Sequence, residues 1–254
     1  MSEVFTDVNI GAVSLVLAIA MAAAWMLGRT MGRILHDHGY SEPSKFDDVS
    51  MALLGLLVAF SFGMSIQQFD QRETAVLNHT NAMADLYYSA GVLKDPARSR
   101  LQALVRQYAQ LVLEVTEGPL DDASINRGQA KADEINDQMQ DVTRQAIDEG
   151  ISIPESLNAE LNAMRDNQVA RLAAYRKSIP ASILFLLFVS SVITTFLIGR
   201  EQGLTNVHDV AGTSSFILLV TIAIYVTLDL NSPNRGFIHI NHESLERLVK
   251  AISK

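Results

Sequence analysis

Four stretches of this chain carry no charged side chain and are almost wholly apolar: residues 10–28, 50–66, 179–199 and 210–228. As helices rising about 1.5 Å per residue, they have the length needed to cross a hydrocarbon layer of roughly 30 Å. The feature dictates an all-α integral membrane protein with four transmembrane helices. The second run is the shortest and contains Gly55 and Gly63, a composition suited to a helix shielded in part by protein. The first run is read as a span and not as a signal peptide, because the residues before it, MSEVFTDVN, are acidic where a signal peptide is basic.

Composition adds a water-exposed part. The chain is 48% hydrophobic and 19% charged, too apolar for an ordinary soluble protein and too charged for burial in lipid throughout. A net charge of −8 argues against a nucleic-acid partner. The absence of cysteine excludes disulfides, thiolate metal sites and cysteine nucleophiles.

Four organisational segments follow. Residues 1–66 hold the first two spans, 67–178 form a helical extramembrane domain, 179–229 hold the last two spans, and 230–254 form a tail. Between Gly63 and Gly91 there is neither glycine nor proline, so the second span is expected to continue as one rod of about 45 residues, roughly 65 Å long. Asp95-Pro96 starts the next helix as N-cap and first helical residue. On that helix Leu101, Leu104, Val105, Tyr108, Leu111, Val112 and Val115 recur at helical spacing and mark a buried face. Glu117-Gly118-Pro119 ends it, and a polar helix covers about 121–148. Pro154 opens a further helix through Leu157, Leu161, Met164, Val169 and Leu172, with a kink expected at Ser178-Ile179-Pro180. The tail ends in an amphipathic stretch, SLERLVKAISK.

Termini and central domain share one side of the membrane. Near the membrane that side carries Arg72, Arg171, Arg176, Lys177 and Arg235, and the other carries Arg29, Arg33, Lys45 and Arg200. The positive-inside rule therefore places the termini and the central domain in the cytoplasm. From Glu114 to Asp166 there are 13 acidic residues against Arg127, Lys131, Arg144 and Arg165. A solvated helix face accounts for them; at a pore entrance the same charge would concentrate cations.

No enzyme is expected. The chain has no phosphate loop, no G-x-S-x-G and no dinucleotide fingerprint, and no carboxylate lies deep in a span. His36-Asp37-His38 and His239/His242-Glu243 are its histidine clusters, and neither is assigned a metal. No cofactor is expected.

The second span carries the informative pattern. Ala52, Leu56, Phe60 and Met64 fall on one face, extended by Gln67, while Ser61, Ser65, Gln68 and Arg72 form an adjacent polar stripe. Hydroxyls and amides in hydrocarbon need partners. Either the stripe joins neighbouring helices, or the helix lines a pore with an apolar neck near Phe60 and a polar vestibule beyond. The residues by themselves leave both open.

The stretch LLGLLVAFSFGMSIQQFDQRETAVLNHTNA (53–82) resembles the second transmembrane helix of bacterial bestrophins. Phe60 matches that family's neck phenylalanine, and Phe69 stands where the family has tryptophan. The ending Asp229-Leu230-Asn231-Ser232-Pro233-Asn234-Arg235-Gly236 is similar to a marker of bestrophin-like bacterial membrane proteins. The resemblance implies a homopentameric channel for monovalent ions in the bacterial cytoplasmic membrane, its partners being other copies of the chain and membrane lipids. Its pore would be lined by Ala52, Leu56, Phe60, Met64 and Gln67, with Ser61, Ser65, Gln68 and Arg72 facing a cytosolic vestibule. No counterpart of the calcium clasp of animal bestrophins is present, and the acidic central segment favours cations. The alternative is a four-helix membrane sensor or scaffold signalling through a partner protein.

Overall fold

The computed structural model describes residues 9–40, 46–118, 122–150, 155–232, 238 and 240–253. Among them are eight helices and no strand: α1 (Ile10–Asp37), α2 (Phe46–Ala90), α3 (Ala97–Glu117), α4 (Asp122–Asp148), α5 (Glu155–Arg176), α6 (Ala181–Leu204), α7 (Val210–Asn231) and α8 (Glu243–Ile252). Four helical stretches are long and apolar enough to span a membrane. The chain divides into two units: residues 1–69 with 178–239, and residues 70–177 with 240–254. The expected rod is a single 45-residue helix, α2, which contributes to both.

In the first unit, α1 and α6 meet at a pair of glycine steps. A Cβ added to Gly28 would overlap the Phe196 carbonyl oxygen, and one at Gly32 would overlap that of Arg200. Reciprocally, Gly199 and Gly203 lie against the Trp25 and Arg29 carbonyls. Helices in lipid gain nothing by burying apolar side chains from water, so close backbone approach at small residues supplies their contact energy. One amide then ties three elements together. Gln202 accepts from Trp25 Nε1 (3.0 Å) and donates to Thr213 Oγ1 (2.7 Å), linking α1, α6 and α7. Around this framework Leu17, Met21, Leu54, Leu184, Leu187, Ile224 and Leu228 form the buried cluster.

In the second unit the apolar faces of α3, α4, α5 and α8 close on the distal part of α2. Met83, Leu86, Leu101, Val105, Tyr108, Met139, Leu157, Met164 and Leu245 form its core. The expected α3 stripe is seen, its buried members being Leu101, Val105, Tyr108 and Val112. The amphipathic tail is α8, with Leu245, Leu248 and Ile252 inward.

Three local expectations need correction. Pro96 occupies the N-cap of α3, and Asp95, one residue earlier, accepts instead from Ser99 Oγ (2.5 Å) and Arg98. On α5, Val169 is exposed, because the buried face of that helix is carried by Leu157, Leu161 and Met164. Residues 177–180 are not a kink but a break, with Pro180 at the N-cap of α6, where its missing N–H costs nothing. Pro119, Pro154, Pro233–Gly236 and His239 lie outside the described residues.

Gly199→Leu is expected to destabilise the first unit by on the order of 1–3 kcal/mol through overpacking. Leu218→Ala, an exposed change on α7, is expected to leave it nearly unchanged. Thermal unfolding of both variants in detergent checks this.

Candidate functional site

The two stripes read on α2 separate in the structure. Leu54, Ser61, Ser65 and Gln68 are buried in the first unit, and they recur at the three- and four-residue spacing of one helix face. They are the seam by which α2 joins its neighbours. Ser65, with no exposed surface, donates to the Thr227 carbonyl of α7 (2.9 Å). Ser61 donates to the Leu57 carbonyl one turn back in its own helix (2.8 Å). Arg72, in the second unit, is buried too. It donates through Nε to the Ala174 carbonyl (3.2 Å) and through Nη2 to that of Lys177 (2.6 Å), closing the C-terminal end of α5. An open polar stripe facing a vestibule is therefore not what these four residues form within the chain. The Ser61 and Ser65 hydroxyls and the Arg72 guanidinium are kept where protein acceptors meet them, whereas the buried Gln68 Oε1 has no hydrogen-bond partner among the described residues.

The other stripe stays open. Ala52, Leu56, Phe60 and Gln67 are exposed, Phe60 by 64%. Gly55 and Gly63 have no atom within reach of an added Cβ. Met64 departs from this face, being half-buried against the core of the first unit, and so does Leu57. The exposed surface along α2 is thus apolar from Ala52 to Phe60 and turns polar at Gln67, Asp70 and Gln71.

Two residues of the C-terminal marker are fixed by backbone contacts. Asp229 is buried and its Oδ2 accepts from the Ile238 N–H (3.1 Å); Asn231 Oδ1 accepts from the Ile179 N–H (2.8 Å). Both side chains hold chain segments in place at the end of α7.

The second unit contains a buried polar cluster that the helical periodicity did not single out. His79, 1% exposed, shares a hydrogen bond of 3.0 Å between its Nε2 and the hydroxyl of fully buried Tyr108. Asn136 donates to Gln168 Oε1 (2.6 Å), and Gln168 Nε2 donates to Asp133 Oδ1 (3.1 Å). Burial, reinforced by the Arg171 charge, pulls the His79 pKa down to about 3. Burial pushes the Tyr108 hydroxyl up. Both groups are neutral across the physiological range.

Reading the sequence missed the paired glycines. Gly28-x-x-x-Gly32 and Gly199-x-x-x-Gly203 match the small-xxx-small pattern of close helix contacts, which would have paired α1 with α6. Among the described residues no group of three or more His, Asp or Glu is placed to hold a metal ion.

The model of the bestrophin-like domain family matches residues 13–245, nearly the whole chain. No curated protein and no solved structure matches it.

His79 is neutral when folded but titrates near its ordinary value of about 6.5 when unfolded. Its contribution to stability is complete above about pH 6.5 and is lost as pH falls toward about 3, because the unfolded chain takes up the extra proton. The melting temperature is expected to decline across that window, and less steeply in His79→Phe; circular dichroism melts at several pH values measure both slopes.

Proposed function

The chain belongs to the bestrophin-like domain family, and from that premise we propose that it is a homo-oligomeric ion channel whose pore is lined by the open face of α2. Family membership and the membrane-spanning helices support a channel-like role in a membrane. The finer reading rests on one observation: α2 closes its seam within the chain and leaves the face bearing Ala52, Leu56, Phe60 and Gln67 uncovered.

Glycine costs a helix stability, about 1 kcal/mol against alanine. Among the described residues, Gly28 and Gly199 serve close helix contact, but a Cβ at Gly55 or Gly63 would meet nothing within 4 Å. Neighbouring copies of the chain packed around a common axis would use those notches. Phe60 and Leu56 then form an apolar neck that controls passage through its wetting, and Gln67 offers polar groups beyond it. The pentameric number and the bacterial cytoplasmic membrane follow the family resemblance, and the cytoplasmic termini follow the distribution of Lys and Arg near the spans. Monovalent cations are the favoured cargo, on account of the acidic α4 segment.

The test is ion flux through protein reconstituted in liposomes, with sodium and chloride gradients applied separately. Phe60→Ala is expected to raise flux severalfold. Phe185→Ala, an equally exposed change on α6, is expected to leave it unchanged. Equal behaviour of the two variants contradicts the lining.

A further inference from the structure

Between α2, α3, α4 and α5, wholly inside the second unit, lies a cavity of about 70 Å³. Apolar side chains such as Val112, Val115 and Leu172 make most of its wall, but His79, Tyr108, Gln168 and Arg171 also reach it. Two hydrogen-bonding deficits meet in this region. His79 is almost fully buried, yet among the described residues its Nδ1 has no hydrogen-bond partner, and the Oδ1 of Asn136, 2% exposed, has none either. Arg171 lies half-buried against the same wall, close enough to Tyr108, His79 and His242 to affect their protonation. Among the described residues it makes no ion pair and no hydrogen bond. Asp133 has one oxygen accepting from Gln168, and Glu246 faces His242.

A half-buried guanidinium without a counter-ion is only partly hydrated, and a buried imidazole nitrogen without a partner is costly. Protonating His79 does not help, since the Arg171 charge opposes it. One kind of molecule meets both needs: a planar anion with two oxygens, one for the guanidinium and one for the imidazole N–H. The space accommodates a few water-sized groups, which limits the ligand to a handful of heavy atoms. Asp133 and Glu246 disfavour a second negative charge, and the apolar wall suits a short alkyl group.

We propose that this cavity is a binding site for a small monocarboxylate. Its carboxylate is held by Arg171 and His79, and its methyl or ethyl group lies against Val112 and Leu172. Arg171 supplies a fork of donors that matches carboxylate geometry, which a lysine does not. Gln168 and Tyr108 set the cavity's polar edge through Asn136 and His79. The site belongs to the second unit alone, so the proposal stands whether or not the chain conducts ions.

The experiment uses the full chain in lipid nanodiscs and titrates sodium acetate against sodium chloride at matched ionic strength, read by calorimetry and by melting temperature. Saturable acetate binding that raises the melting temperature is expected, because a ligand that binds only the folded form stabilises it. Arg171→Gln is expected to weaken acetate affinity at least tenfold, and Arg171→Lys to weaken it while preserving the fold. Ala132→Met, which fills the cavity from α4, provides a second decision if Arg171→Gln fails to fold: it should abolish binding. No saturable response to acetate overturns the proposal and leaves the cavity to water. Acetate binding undiminished in both Arg171→Lys and Ala132→Met places the ligand elsewhere and overturns it too. Displacement of acetate by equimolar chloride would mark a site for simple anions and overturn the carboxylate assignment.

Discussion

A serine hydroxyl surrounded by hydrocarbon gains by bonding to protein, and the bond from Ser65 to a neighbouring helix holds the rotation of α2 about its axis. Ser65 meets its need at the Thr227 carbonyl of α7, and Ser61 at its own helix. With those residues inward, Ala52, Leu56 and Phe60 are turned to the uncovered side. A slip of one residue, about 100° on a helix, would place Ser61 where Phe60 stands and take the Ser65 hydroxyl away from the Thr227 carbonyl. The polar seam thus decides which side chains the helix can offer to other copies of the chain. The proposed neck is a consequence of where the serines go.

The framework that receives α2 depends on a second close contact. Four glycines let the α1 and α6 backbones touch, and Gln202 extends the contact to α7 through Trp25 and Thr213. The second unit is built differently, as a helical bundle with an aliphatic core and a buried polar cluster around His79 and Tyr108. Neutral histidine beside an arginine that has no carboxylate partner among the described residues is an arrangement that an apolar core alone would not need.

Most of the architecture could be read from the sequence, because hydrophobic length and helical spacing are local signals. The four spans, the uninterrupted α2, the α3 stripe and the amphipathic α8 are all of this kind. The direction of the polar stripe on α2 was not, since periodicity groups Ser61, Ser65, Gln68 and Arg72 on one face without saying what that face meets. Met64 shared the spacing of Phe60 yet packs against the core, because the boundary of a helix face depends on its neighbours' reach. The break before α6 was visible in Pro180 but was expected as a kink. Arg171 and His79 lie 92 positions apart in sequence (171 − 79) and come together only through the folding of the second unit.

A channel lined by α2 requires that water reach the open face of that helix along the ion path. The chain lacks cysteine, so single cysteines can be placed at Ala52, Leu56, Phe60 and Ser65 and challenged with a water-soluble thiol reagent during liposome flux measurements. Modification at positions 52, 56 and 60 is expected to abolish flux, and modification at 65 is not. Flux that persists after modification at all of the first three, or that is blocked equally through a cysteine at the exposed Phe185 of α6, would contradict it.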